Sequence, residues 1–314
     1  MTKFLIQDII SYKNEKGILT DLTKGESRKE KIMSNKVYEI VTQKVLESLE
    51  NGVVPWHKPW KSLYNLAMPH NLVSKKGYRG INVFLLAFAD YDSPYWLTFN
   101  QCKKLGGKVI KGEKSRLVVF WKIYDKEVEV NGENEMQKRY ILRYYNVFNT
   151  EQCEDLDLSK IENNVNQIEF NPIDVCEEIV ANMPHCPTIK NGNKASYRRD
   201  KDIITMPKKE SFESVEEYYS TLFHELAHST AHLGRLDRSK EEDNNYSKEE
   251  LVAEMTAAML CGMAGIENKV IENSAAYIKH WSKAFKDNVK IVVEAAQKAQ
   301  KAADYILNVK IESN

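Results

Sequence analysis

The polar and apolar positions of this chain change period several times, and the changes outline its elements. Residues 1–34 are polar and include the charged run GESRKEK, so they predict a weakly structured arm. From Lys36 the segment VYEIVTQKVLESLENG sets Val37, Ile40, Val41, Val45 and Leu46 at helical spacing, and Gly52 supplies the stop. VVPWHKPW follows, where two X-Pro steps force extended backbone and present Trp56 and Trp60 on a stiff loop. GYRGINVFLLAFADY predicts a turn into a second helix. The stretch from Ser93 to Tyr124 predicts a short helix, a Gly-Gly turn and strands with a turn at Lys111-Gly112; strands resume at RYILRYYNVFN after a polar hairpin loop, VEVNGENEMQKR.

Residues 151–171 are acidic and aperiodic, and mark a boundary. Beyond them the pattern predicts an amphipathic helix around Val175 to Met183 and a strand from Lys201 to Met206. Three helical segments follow, Val215 to Gly234, Ser247 to Gly265, and a long one from Asn273 to Asn308 whose AAQKAQKAADYIL favours helix. The expected fold class is α+β in two domains. An arm (1–34) and an N-terminal α+β domain (35–152) lead through a linker (153–171) to a mainly helical domain with a small sheet (172–314).

Composition narrows the class. A chain of 314 residues at 42% hydrophobic can bury two cores. Its 16 Tyr, 10 Phe and 5 Trp argue against disorder, and its 13 Gly and 8 Pro against low complexity. No run approaches the roughly 20 apolar residues of a membrane span, and the N-terminus lacks the form of a signal peptide, so a soluble, cytoplasmic protein without membrane contact is expected. Five scattered cysteines without a C-x-x-C pair fit reduced thiols.

The net charge is zero, but unevenly spread. Residues 36–122 hold 14 Lys plus Arg against 6 Asp plus Glu, together with four of the five Trp. Aromatic faces that stack on bases, interleaved with cations that neutralise phosphates, are what sequence-tolerant binding of single-stranded DNA requires. The residues expected to carry it are Trp56, Lys58, Trp60, Lys75, Lys76, Tyr78, Arg79, Asn82, Trp96, Lys111 and Lys114. The competing expectation is that the Trp rings fill a small core and the lysines solvate it. No helix-turn-helix or zinc finger points to duplex reading.

The second half carries His224-Glu225-Leu226-Ala227-His228 inside a helical segment. Histidines at i and i+4 project from one face and can share a tetrahedral cation, with one Zn2+ the leading choice among divalent metals. Glu225, beside the first ligand, is placed as general base toward water acidified by that cation. A carboxylate from SKEELVAEMTAAML completes the set. Either Glu250 is the ligand and Glu254 orients a ligand imidazole, or the two roles are exchanged; Glu249 is expected on a solvated face. His232 falls on nearly the same face and is expected to cap the helix ahead of Gly234, to contact substrate, or to replace a glutamate as ligand. Tyr197, Tyr218 and Tyr219 are candidates for polarising an oxyanion, and Asp202 to Pro207 for an edge strand that receives an extended substrate.

The motifs PWHKPW, GYRGIN, WLTFNQ, GGKVIKGEK, VFWK and NVFNTEQ resemble the N-terminal domain of the ArdC family of antirestriction proteins. DIITMP, YYSTLFHELAHSTAHLGRLDR, EELVAEMTAA, AAYIKHW and QKAQKAADYIL resemble that family's zincin-like metallopeptidase domain. The resemblance runs from Lys36 to Leu307 in the family's order. It departs from the pattern in its longer arm and in Ala231, where the family is expected to carry glycine. It implies a protein of a plasmid or other mobile element that binds single-stranded DNA, protects incoming DNA from restriction and holds a gluzincin-like metal site at His224, His228 and Glu250 or Glu254. The expected activity is zinc-dependent hydrolysis of a peptide bond in a protein substrate whose identity nothing in the sequence gives. The alternative is a DNA-coating antirestriction protein whose metal is structural; weaker still is a regulatory peptidase whose basic face meets a protein.

Overall fold

Helix α1 (Arg28–Glu50) buries Val37, Val41, Val45 and Leu49, one face at helical spacing, and ends where Gly52 takes a φ of +75°. The N–H of Gly52 bonds the carbonyl of Leu49 at 2.9 Å and that of Val53 the carbonyl of Ser48 at 2.9 Å. That paired closure satisfies two terminal carbonyls and needs a residue at ease with positive φ. The helix begins eight residues before the expected Lys36, so the Arg28–Lys31 part of the charged run is helical rather than arm. The structure, a computed structural model, describes residues 28–56, 68–87, 89, 91–130, 133–157, 171–238, 246–268 and 275–309.

The N-terminal half continues with β1 (His70–Asn71), α2 (Ile81–Ala87), β2 (Tyr95–Leu97), α3 (Phe99–Lys104), β3 (Lys108–Val109), β4 (Arg116–Val130), β5 (Glu133–Asn149) and β6 (Cys153–Glu154). One sheet runs β1-β2-β5-β4, and β3 pairs with β6. WLTFNQ holds a strand end and a helix start: Thr98 Oγ1 accepts from the Gln101 N–H at 3.2 Å while Gln101 Oε1 accepts from the Thr98 N–H at 2.8 Å. This reciprocal cap satisfies two donors at once. The polar insertion expected as a loop is ladder instead, since β4 and β5 pair in unbroken register from Arg116↔Val147 to Val130↔Glu133. Backbone pairing does not require buried side chains, and only the base of the hairpin, with Leu117, Val119 and Leu142, enters the core.

The C-terminal half comprises α4 (Pro172–Asn182), β7 (Thr188–Asn191), β8 (Ser196–Arg198), β9 (Ile203–Met206), α5 (Val215–Ser229), α6 (Tyr246–Ala264), α7 (Ala275–Asp287) and α8 (Ile291–Ile306). The three strands are ordered β7-β9-β8, with β9 parallel to β7 and antiparallel to β8. Ile203–Met206 is therefore the central strand and not the expected edge. The edge flanking it on the antiparallel side is β8. The single long helix expected from Asn273 is two, broken where Asn288 Oδ1 accepts the Lys290 N–H at 3.0 Å and the Val289 carbonyl accepts the Thr42 hydroxyl of α1 at 2.6 Å.

Helix α6 is buried round most of its circumference. Leu251, Val252, Met255 and Met259 meet Leu222, Phe223 and Leu226 of α5 and the alanine face of α8 (Ala295, Ala296, Ala299, Ala303) in one apolar cluster. That cluster also takes in α1 and the base of β4 and β5, so apolar packing is continuous from one half to the other. No described helix is long and apolar enough to cross a membrane.

Candidate metal centre

Helix α5 starts at Ser214, whose hydroxyl accepts the Glu217 N–H at 3.2 Å. Its buried stripe of Tyr219, Leu222, Phe223 and Leu226 fixes its rotation against α6. The opposite register then brings His224 and His228 together, with their Nε2 atoms 3.1 Å apart. Glu250 of α6 closes the triangle, Oε2 at 3.6 Å from His224 Nε2 and Oε1 at 3.5 Å from His228 Nε2. A tetrahedral ion bonded at the usual zinc-nitrogen and zinc-oxygen lengths has ligand-to-ligand edges of roughly 3.3–3.5 Å. All three observed edges lie close to that span. His224 and His228 are 15% and 13% exposed and Glu250 24%, so the three donors are sunk in the surface yet reachable. Among the described residues these three form the group able to hold a metal ion; Glu254 does not belong to it.

Protonation follows burial and neighbours. Burial presses the His228 imidazole down to about 3, and the facing His224 ring presses the same way. Burial also lowers His224, but Glu250, followed by the charges of Glu225 and Glu254, holds it above its ordinary value. Burial raises the Glu225 carboxyl, against the lowering pull of His224 and of a hydrogen bond from the backbone of Tyr197. Glu225 is thus tied to β8, the strand that flanks the centre.

Glu254 lies one turn beyond Glu250 and plays a different part from the one expected. Its Oε2 accepts Trp56 Nε1–H at 3.0 Å and also the hydroxyl of Tyr277, while Trp56 Nε1 lies 2.9 Å from that same hydroxyl. Burial lifts its carboxyl to about 7 despite those donors. The expected hydrogen bond to a ligand imidazole is not seen: His224 Nδ1 is buried with no hydrogen-bond partner among the described residues. Glu249, expected on a solvated face, is 5% exposed. It accepts Arg238 through both oxygens, at 2.7 and 3.3 Å, because an anion at the helix-helix seam is tolerated only when paired.

Two arginines of the HLGRLDR segment were invisible as site residues in the sequence. Arg238 also reaches the Thr230 hydroxyl at 3.0 Å, tying the end of α5 to the start of α6. Arg235, whose side chain is 1% exposed, bonds both oxygens of Asp202 at 2.7 and 2.8 Å and the Ser229 carbonyl at 3.1 Å. Tyr197 donates to the same Asp202 at 2.8 Å, so its hydroxyl braces β8. His232 Nδ1 accepts the Gly234 N–H at 3.1 Å in the turn after α5 and is outside the three-donor group. Tyr219 is buried and donates to Glu177, with Lys209 Nζ 2.6 Å from its hydroxyl; Tyr218 packs edge-on against it.

The expected DNA-stacking set divides. Trp56 is 1% exposed and Trp96 3%, and Tyr78 and Asn82 are also buried. Trp96 and Tyr78 pack with Leu86, Val118 and Val147, and Asn82 exchanges two hydrogen bonds with the Val119 backbone at 2.8 and 2.7 Å. These four are core and offer no stacking face, since an aromatic ring buries about 150–250 Å² on entering a core. Arg79 pairs with Asp304 of α8. Lys75, Lys111 and Lys114 are exposed and Lys76 half-buried; Lys58 and Trp60 lie outside the described residues. Two described aromatics of this half do face solvent: Tyr144 on β5, 48% exposed, and Phe99, 57% exposed on α3, whose last turn carries exposed Lys103 and Lys104. Asn71, at the start of the turn that carries Lys75, exchanges hydrogen bonds with Gln101 of α3 at 3.1 Å, and Lys75 Nζ sits 5.5 Å over the Tyr95 ring. In the sequence, the place of Phe99 directly after Thr98 of the Thr98–Gln101 cap pattern and ahead of Lys103-Lys104 was the available signal for it.

Residues 35–148 match the family described as the N-terminal domain of anti-restriction factor ArdC, and residues 175–298 a zincin-like metallopeptidase family. The crystal structure of the metal-free antirestriction ArdC protein from R388 plasmid superposes with a TM-score of 0.68 at 35% identity, covering 86% of this chain and 96% of that one. Its Mn(II)-bound form gives 0.66 at 34%, covering 86% and 97%. A DNA primase TraC of Escherichia coli is 32% identical over 288 residues, 86% of this chain, but the chain spans only 20% of that primase's length. An uncharacterised protein of Sinorhizobium fredii is 30% identical over 288 residues, with 91% of its length covered.

Proposed function

Because the chain belongs to the ArdC family of antirestriction proteins, we propose that it binds single-stranded DNA through its N-terminal half and hydrolyses a peptide bond in a protein at a divalent-metal site in its C-terminal half. The observation that supports it most is the triangle of His224, His228 and Glu250 donors, whose edges of 3.1, 3.5 and 3.6 Å suit one tetrahedral ion. Zinc fits two imidazoles and a carboxylate; the Mn(II) in the R388 relative makes manganese a second candidate. Such an ion supplies Lewis-acid polarisation and makes water acidic enough to be deprotonated near neutral pH.

Glu225 performs the proton work. It neighbours the ligand His224, and burial raises its carboxyl; in this role it accepts a proton from the attacking water and returns it to the departing amine. Strand β8 flanks Glu225, and an extended peptide laid along it would add a strand to the β7-β9-β8 sheet. The Arg235–Asp202–Tyr197 bonds hold that strand still. On the N-terminal half, Phe99, Lys75, Lys103, Lys104, Lys111 and Lys114 supply the exposed stacking face and the phosphate-neutralising charge.

Glu225→Gln tests the catalytic part. It keeps the shape of the side chain and the three donors, so metal content stays at the wild-type level while peptide hydrolysis falls by about 10²–10⁴-fold. Hydrolysis that persists undiminished sinks the peptidase reading. Antirestriction that survives the substitution moves the balance to a DNA-coating protein with a structural metal.

A further inference from the structure

The metal centre described above is not built from the C-terminal half alone. Trp56 follows α1 in the N-terminal half, yet its indole N–H ends on Glu254 of α6, one helical turn from Glu250. The separation in sequence is 198 residues. The ring is held edge-on against Trp281 and Phe285 of α7, with centroids at 6.3 and 6.0 Å, and is 1% exposed. Tyr277, also of α7, bonds the same carboxylate oxygen and receives the same indole N–H. Glu254 is a second acidic side chain on the ligand-bearing helix, close enough for its charge to act on His224. A free carboxylate in that position would compete with Glu250 for a cation or swing toward the imidazoles.

We infer that Trp56 is a positioning residue for the metal centre: together with Tyr277 it clamps the Glu254 carboxylate on α6, so that the N-terminal half sets the surroundings in which His224, His228 and Glu250 bind a divalent ion. The site is in that sense composite, and its metal affinity depends on the two halves being docked. The docking is itself specific. Arg79 pairs with Asp304, the Gly80 N–H donates to Gln300 at 2.9 Å, and Thr42 donates to the Val289 carbonyl at 2.6 Å. The inference rests on the proposed metal centre, and its test separates the two.

Mn(II) is titrated into the full chain and its affinity read by calorimetry, with the electron paramagnetic resonance of the bound ion recorded in parallel. Trp56→Phe keeps an aromatic ring against Phe285 but removes the indole N–H together with part of the ring system, so a second variant controls for packing. Glu254 bonds none of the three donors, so the effect should fall below the roughly 10–100-fold that loss of a ligand's own hydrogen-bond partner causes; a loss of about three- to tenfold and an altered Mn(II) spectrum are expected. Phe285→Leu disturbs the packing around the same ring but leaves both donors on Glu254, and should bind within about twofold of wild type. A Trp56→Phe protein that binds Mn(II) as the wild type does, or a Phe285→Leu protein weakened equally, overturns the assignment. Should Trp56→Phe not fold, Tyr277→Phe strips the other half of the clamp, and unchanged affinity there overturns it too. His224→Ala, run alongside, tests the centre itself: wild-type affinity in that variant removes the metal site, whatever Trp56 does.

Discussion

Arg238 grips Glu249 through two hydrogen bonds, at 2.7 and 3.3 Å, with both side chains less than 10% exposed. Glu249 is the immediate neighbour of Glu250, and Arg238 is anchored by the Thr230 hydroxyl at 3.0 Å and the Ala227 carbonyl at 3.4 Å, at the end of the histidine-bearing helix. The pair therefore sets the height at which α6 offers its carboxylate to α5. Removing one partner leaves a buried charge uncompensated, which costs about 3–5 kcal/mol. Arg238→Ala should lower the free energy of unfolding in urea by that amount, whereas the joint change Arg238→Met with Glu249→Leu should cost clearly less. Equal losses would show that the pair is screened rather than buried.

The Asp202–Arg235 contact predicts a pH-dependent part of the stability. The Asp202 carboxyl is desolvated, but hydrogen bonds from Arg235 and then Tyr197 hold it below its usual value. A depressed carboxyl stabilises the fold above its unfolded value, near 3.9, and the contribution disappears as pH falls through the lower folded value. Asp202 is 37% exposed, so solvent screening limits the cost of Asp202→Asn at pH 7 to about 1–2 kcal/mol. The difference between variant and wild type, measured by urea unfolding, should shrink as pH is taken below 4. A difference that is the same at pH 7 and pH 3 would rule the charge out.

For DNA, the exposed face on α3 and its neighbouring turns makes a prediction that differs from the sequence's own. Phe99→Ala combined with Lys103→Ala and Lys104→Ala should weaken binding of a short oligothymidine and flatten the dependence of log affinity on log salt by close to two phosphate contacts. Trp96→Phe should lower stability while leaving DNA affinity near wild type, because its ring packs with Tyr78 and Val118. Wild-type DNA binding in the triple variant would place the contact elsewhere.

Much of this was legible in the residues. The i, i+4 histidines, the glutamate between them and the carboxylates of the next helix could be read because helical spacing alone fixes which side chains share a face. The choice between Glu250 and Glu254 could not, because both lie one turn apart on one helix and only Trp56 and Tyr277, distant in sequence, separate them. The same blindness to long-range partners hid Glu249. Trp56, Tyr78 and Trp96 could be read equally as a stacking platform or as a small core, because composition reports aromatic content and not burial; their burial bears out the core reading. Strand Ile203–Met206 was visible, but its central place depends on Thr188–Asn191 and Ser196–Arg198, both too short and polar to announce themselves.

The central claim is that His224, His228 and Glu250 together bind one divalent ion. Metal content by mass spectrometry, on the wild-type chain and on Glu250→Ala and Glu254→Ala after dialysis against the same zinc buffer, tests it most directly. The prediction is one ion per wild-type chain, almost none in Glu250→Ala, and close to the wild-type complement in Glu254→Ala. A full complement of metal in Glu250→Ala, with loss in Glu254→Ala, would contradict it.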